Sequence, residues 1–513
     1  MLRERIHLLG IILLVIGLPF SRAFVSISYV IIITNWLLDK NIFKKFGDFF
    51  KNSPALILTS IYFIHLLGLL YTSDFSYAWL EVRTKIPILI LPLVFSTSKL
   101  IEKKEFIFIV IIFCLAVVAS FGSAIYFFFA HSYIDTRDAF HFVSHIRLAQ
   151  MAIIAVSIFL WVIFAKKINI QWWVKILFLI LSLFLIWAIV ILEVMSGLLI
   201  IIITLVVTSI FYLFKTPNIN RLLSALIIAI VLISFSIYLA ITIKNYNTPK
   251  DYAKNNGLTF YGNKYDNFIS DYPIESGSFI GKDVCFSEMK QCWNQRSELA
   301  FDSIDMHGNP VKFTLLRFLN SKHLTKDFKG VWKLSKKEIS FIEKGFANVE
   351  YTNKFSLKKR IYKLLWEYNI FKKENYIDES SAVKRLFLWE TGLHLVAEKP
   401  WFGVGTGDVK NCFADELIKE KSSLSEDHLR AHNQFISIAI AFGIPGFLWF
   451  LFAIFYPFIK KHSYDFLFMI FFISYLSSML WEDSLETQIG VTIFAFFYPF
   501  YLFMNPYLNK KLP

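Results

Sequence analysis

Apolar residues in this chain are gathered into long blocks separated by short polar stretches. One block, IHLLGIILLVIGLPF, lies near the start. Another runs from Lys175 to Lys215 with Glu193 as its one charged residue. Runs of about 18–20 apolar residues are long enough to cross a bilayer as helices. The pattern predicts about twelve spans, at 6–20, 22–38, 54–71, 85–98, 106–130, 148–165, 173–192, 194–214, 222–241, 432–458, 464–480 and 487–504. The 173–214 stretch is too long for one helix. It divides at Glu193–Gly197, because a carboxylate is costly in hydrocarbon. The predicted fold class is an all-α polytopic membrane protein.

Between the ninth and tenth spans lies a polar segment, 242–431. An ordinary connection takes about 4–6 residues, so this one is a domain or a disordered insert. VWKLSKKEISFIEKGF and SLKKRIYKLLWEY have helical spacing. Trp293, Trp332, Trp366, Trp389 and Trp401 argue against disorder. The expected organisation is a membrane part at 1–241, a large and mostly helical loop at 242–431, and three closing spans at 432–513. No internal repeat divides the chain into similar halves, as it does in many transporters.

Composition agrees with this pattern. Of 513 residues, 56% are hydrophobic and 18% charged, which excludes disorder, a coiled coil and a soluble nucleic-acid binder. The net charge of +14 is read first as an orientation signal. With the N-terminus inside, the inner loops hold Lys40, Lys44, Lys45, Lys51, Lys99, Lys103, Lys104, Lys166, Lys167, Lys175, Lys215, Arg221, Lys460 and Lys461. The short outer loops hold Arg22, Arg83, Lys85, Arg137 and Arg147. Both termini are therefore expected in the cytoplasm and the large loop outside. Arg3 and Arg5 precede an apolar run without a small-residue cleavage site, so a retained first helix is expected. Cys285 and Cys292 can close a short loop in an oxidising compartment, which leaves Cys412 over.

Four polar clusters sit at the outer ends of spans. In EDHLRAHNQFISIAIAFGIPGFLWFL, the residues His428, Arg430, His432, Asn433 and Gln434 crowd the mouth of the tenth span. They either cap and snorkel or join a water-side substrate to a lipid-side one. An amphipathic helix from Ser381 to Glu398 ends at Pro400 and leads into GVGTGD, where the simpler reading is a tight turn. His141 and His145 precede the sixth span without the glutamate of an H-E-x-x-H site. Arg147 offers a planar, always-charged fork suited to phosphate, or an interfacial anchor. Glu482, Asp483 and Glu486 either do acid–base chemistry or, in the simpler reading, cap the last helix. The chain has no phosphate-binding GxxxxGK[ST] loop and no serine nucleophile elbow.

Taken together these stretches resemble the O-antigen ligase family of bacterial membrane glycosyltransferases, Bacteroidetes-type members in particular. RAHNQFISIAIAFGIPGFLWF is similar to the family's histidine–asparagine signature, and RLFLWETGLHLVAEKPWFGVGTGD to the segment before it. SHIRLA, LLYTSDFSYAWLEVRTKIPILILP and MLWEDSLETQIGVTIFAFF complete the set. The resemblance implies a GT-C-like fold and an inverting, metal-independent transfer without cofactor. The donor is a glycan on undecaprenyl pyrophosphate and the acceptor a lipid A–core hydroxyl, at the outer face of the inner membrane. It makes His432 and Arg385 catalytic. Arg147, Arg430, Asn433 and His428 bind pyrophosphate or acceptor. LEVMSGLL carries Met195 where many members have arginine, and Arg430 is the candidate to replace it. The same donor serves protein O-oligosaccharyltransferases and O-antigen polymerases, and a lipid-oligosaccharide flippase shares the span count.

Overall fold

A computed structural model describes residues 2–131, 136–165, 168–192, 194–213, 218–249, 257–269, 272–353, 356–374, 382–420, 424, 429–461 and 465–507. Glu193, Ser381 and His428 lie outside the described residues. The chain is mostly helical and divides into two compact units, 1–224 with 385–513, and 225–384. Residues 385–431, read from sequence as loop, group with the first unit.

The first unit begins with α1 (Leu2–Phe20), α2 (Arg22–Leu37) and α3 (Ile42–Lys51), then α4 (Ser53–Leu67), α5 (Phe75–Thr97) and α6 (Lys103–Ala130). It continues with α7 (His145–Phe164), α8 (Trp172–Ile191) and α9 (Met195–Leu213), and enters α10 (Asn218–Asn247). The second unit contains a short hairpin, β1 (Ile274–Glu275) with β2 (Ser278–Phe279). Its helices are α11 (Phe286–Asn294), α12 (Val311–Ser321), α13 (Phe328–Trp332), α14 (Lys336–Glu343) and α15 (Leu357–Glu374). The chain returns to the first unit within α16 (Ala382–Glu398), followed by α17 (Val409–Lys419), α18 (Gln434–Lys460), α19 (Phe466–Met479) and α20 (Gln488–Pro499).

Among the described residues, five helices are long and apolar enough to cross a membrane, at Ser53–Tyr71, Lys103–Ala130, His145–Phe164, Trp172–Ile191 and Gln434–Lys460. Counting α2 with α3 as one broken span makes six. Shorter apolar helices cover Ser196–Val207, Phe466–Met479 and Gln488–Met504. The chain bends by 103° between α2 and α3. In α3, Phe43 and Phe50 are exposed beside Lys44, Lys45 and Lys51, the pattern of a helix lying in the membrane interface.

α7 is the centre of the first unit. It packs against α6, α8, α9 and α19 and is mostly buried, whereas most of α8 is not. α8 accordingly turns Trp172, Leu179, Ile180 and Leu183 outward, where lipid tails can cover them. α5 starts at Phe75, ten residues before the span read from sequence. Glu81 and Lys85 are therefore inside a helix, one turn apart, and not in an outer loop. They are tolerated because both are ion-paired.

The second unit has its own core, including Met289, Trp293, Leu315, Leu319 and Ile342. Arg317 holds Glu275 at 2.9 Å and lies 3.3 Å from the Trp366 ring centroid. The Cys285–Cys292 bridge allowed by the sequence does not form, and both thiols are free. Cys285 immediately precedes α11 and Cys292 is near its far end. Seven residues of helical rise separate them by about 10 Å, beyond the reach of a disulfide.

Candidate active site at the start of the tenth apolar segment

α18 breaks at Gly443, whose φ of 67° lies in the left-handed region. Pro445 follows and has no N–H to give back to Ala441. The carbonyls of Ile440 and Ala441 are freed, and the Val404 and Gly405 amides take them, both at 2.9 Å. In return the Ile444 amide donates to the Pro400 carbonyl at 2.7 Å. The GVGTGD segment is thus a strap laid against backbone. A Cβ on Gly403 meets the Ile440 carbonyl oxygen at 2.4 Å, and one on Gly407 meets that of Asp74 at 2.1 Å. These glycines allow close approach between chain segments, in line with the turn reading and not with a ligand cradle. Gly403→Ala is expected to cost about 1–3 kcal/mol, read as a lower thermal midpoint in detergent.

The strap ends at Asp408, whose carboxylate accepts the Ser73 and Asp74 amides at 2.6 and 2.8 Å. It pins α17 to the start of α5. Tyr77, in the first turn of α5, then faces two cations. Lys410 Nζ lies 4.6 Å from its ring centroid and the Arg430 guanidinium 5.4 Å.

Arg430 is buried and both of its arms are engaged. It donates to Glu81 at 2.7 Å and pairs with Glu486 at 2.7 Å, and it also donates to the Tyr77 hydroxyl. Lys85 bridges the same two carboxylates, meeting Glu486 at 2.8 Å. Gln434 joins this cluster by donating to Glu486 at 3.1 Å and accepting the Leu485 amide at 2.6 Å. Burial pushes the Glu486 carboxyl up, but the charges of Arg430 and Lys85 outweigh it and hold it well below the usual carboxylate range.

Arg147 is also buried. It donates to the Ser484 hydroxyl at 3.0 Å and to the Asp483 carbonyl at 3.2 Å. It therefore anchors the 480–487 turn. Asp483 turns its carboxylate the other way, accepting from the His432 amide at 3.1 Å and from the Ser437 hydroxyl at 2.6 Å. Burial raises the Asp483 carboxyl above its ordinary value despite the Arg430 charge. Asn433 caps α18, its Oδ1 accepting the Phe435 and Ile436 amides.

One chain of polar groups stays open to the outside. Glu482 reaches Arg385 at 3.3 Å and lies 3.9 Å from His432 Nδ1. The Arg385 side chain is 33% exposed and that of His432 37%. Burial raises the Glu482 carboxyl, but contact with His432 and the charges of Arg147 and Arg385 bring it below its ordinary value. It stays ionised beside the imidazole. His432 has φ of 48°, held there by the Asp483 carboxylate on its amide and by the cap at Asn433. Trp389 and Trp481 pair at 5.4 Å beside this chain. Chemically, an imidazole next to a fixed carboxylate can take a proton, and an exposed guanidinium can receive an anion.

The structure thus brings His432, Arg385, Arg430, Arg147 and Asn433 to one end of the first unit. His428 lies outside the described residues. None of the three acids caps α20, where Thr487 accepts the Gly490 amide. Sequence reasoning missed Glu81, Lys85, Tyr77 and Lys410. The available signal is the spacing of Glu81 and Lys85, which fall one helical turn apart. His141 and His145 do not gather a third ligand among the described residues. The group that does is His394, Glu416 and Glu420, with donor atoms within 4.8 Å, but it is on the surface and Glu416 pairs with Lys419.

Residues 351–451 match the family model described as O-antigen ligase. This is the family that the sequence motifs resemble. Arg385, Lys410, Arg430 and His432 all lie in the matched stretch. The match supports a function of O-antigen ligase or polymerase type in a membrane protein. No curated protein matches the chain.

Proposed function

We propose that this protein is an O-antigen ligase-type glycosyltransferase of the bacterial inner membrane. It moves a glycan from undecaprenyl pyrophosphate to a lipid A–core hydroxyl at the periplasmic face. The observation that carries this reading is the open Arg385–Glu482–His432 chain at the head of α18. His432 accepts the proton of the attacking hydroxyl, and ionised Glu482 orients the ring and stabilises the imidazolium. Arg385 offers its fork to the departing pyrophosphate, whose charge grows as the glycosidic bond breaks. Arg147 and Arg430, expected from sequence at the pyrophosphate, act here as positioning residues, because their nitrogens are committed to Ser484, Asp483, Glu81 and Glu486.

An apolar groove supports the lipid half of the reading. It has a volume of about 700 Å³ and lies between α4 and α18, lined by Phe63, Ile64, Leu67, Trp401, Phe402, Phe442 and Trp449 among others. It suits the first isoprene units of a donor whose head lies at the outer face. In the topology that goes with this reading there are about twelve spans, both termini are cytoplasmic and the large loop is periplasmic. The basic inner loops are its support.

The test is reconstitution in liposomes with undecaprenyl-pyrophosphate-linked oligosaccharide and either lipid A–core or a Ser/Thr peptide. Transfer to lipid A–core is expected. Transfer to the peptide alone would make it a protein glycosyltransferase, and lengthening of the donor glycan alone a polymerase. Two further outcomes follow. Arg385→Lys keeps the charge but loses the fork, and is expected to slow transfer about tenfold, or 1.4 kcal/mol. EDTA is expected to leave the rate unchanged. A metal-reversible loss would point to His394, Glu416 and Glu420.

A further inference from the structure

One cation beside Tyr77 stands apart from the ion pairs around it. Glu81 and Glu486 are matched by Lys85 and Arg430, both buried with them. Lys410 is a third cation on the same cluster, and among the described residues it has no carboxylate partner. Its ammonium rests on the Tyr77 ring, a contact that is worth little against a full counter-ion. Its place is fixed from both sides. Asp408 stitches the start of α17 to residues 73 and 74, and Asn411 reaches Asp74 at 3.5 Å. Arg430 clasps the hydroxyl of the same tyrosine, two residues before His432.

We infer that Lys410 is a binding residue for the donor diphosphate, its ammonium resting on Tyr77 outside the ion pairs that engage Lys85 and Arg430. The inference rests on the glycosyl-transfer reading and adds to it a residue with a distinct task. Arg385 meets the anion from the Glu482 side, and Lys410 meets it from the Tyr77 side. No proton or bond changes hands at Lys410, which holds charge only.

The surroundings give it a pH signature. Lys410 is faced by Tyr77 and Glu81 of α5, by Arg430 before α18 and by Glu486 before α20, with Asp74 and Asp408 close by but tied to backbone amides. Burial and the Arg430 charge bring its ammonium below the usual lysine range, Glu81 and Glu486 opposing. A lysine that loses its proton early releases an anion as the pH rises. Donor KM should therefore climb on the alkaline side.

The experiment compares wild type, Lys410→Met and Lys410→Arg in reconstituted membranes. Methionine keeps a stem on Tyr77 without charge, and arginine stays charged throughout. Lys410→Met is expected to raise donor KM about tenfold with kcat within twofold. Lys410→Arg is expected to keep the wild-type KM at neutral pH and to flatten its alkaline rise. An unchanged KM in Lys410→Met, or an alkaline rise that persists in Lys410→Arg, overturns the inference. Equilibrium binding of undecaprenyl pyrophosphate, followed by tryptophan fluorescence, separates this from the wider reading. If wild type binds the lipid but transfers nothing, the glycosyl-transfer reading falls while a tenfold weaker Lys410→Met still upholds the site. Equal binding by both removes Lys410 whatever the activity.

Discussion

His432→Ala is expected to slow glycan transfer by about 10²–10⁴-fold, the usual loss when a general base is removed. The folded protein should still accumulate in the membrane in normal amount. The imidazole is more than a third exposed, so its removal leaves no large cavity. What it takes away is the proton acceptor held beside Glu482. The backbone at this position is left-handed, which alanine adopts less readily than asparagine. His432→Asn is therefore the cleaner partner, keeping the turn and losing the base. Both variants should show the same loss in kcat, with donor KM little changed. Wild-type turnover in either would remove His432 from the mechanism.

Arg430→Met is expected to act on the fold before the chemistry. It leaves Glu81 and Glu486 buried with Lys85 alone, and an uncompensated buried charge costs about 3–5 kcal/mol. The readout is the thermal midpoint of the detergent-solubilised protein without substrate. A clear fall is expected, with part of it recovered in Arg430→Met combined with Glu486→Gln, which deletes the orphaned charge. An unchanged midpoint, with weaker donor binding, would instead assign Arg430 to the pyrophosphate, as its place before His432 had suggested.

The contrast between His432 and Arg430 shows what the sequence could and could not disclose. The apolar blocks marked the helices, since length and polarity are local properties. The His-Asn pair was legible because a cap and a neighbouring imidazole are local too. Arg430 was legible as a cation at a helix mouth, but not as one already spent. Its partner Glu81 is 349 residues away, and no spacing rule reaches that far. The acids at 482–486 were misread for the same reason. Acids just before an apolar helix look like caps, and only the fold reveals that Thr487 does the capping while the acids turn to His432, Ser437 and Arg430. Lys410 went unnoticed because a lysine two residues past a glycine turn carries no signal until Tyr77 lies beneath it.

The buried cluster on α5 also bears on how the chain is made. α5 leaves the ribosome with Glu81 and Lys85 already in place, but Arg430 follows 349 residues later and Glu486 follows Lys85 by 401. At about 5–20 residues per second, α5 waits roughly 20–70 s for Arg430. During that interval Glu81 and Lys85, one turn apart, have each other. This pair is a provisional neutralisation of two charges that are buried in the finished fold. The last helices exchange the local pair for a four-membered one. A chain that stalls before Glu486 is thus left with two cations, Lys85 and Arg430, on the single carboxylate of Glu81.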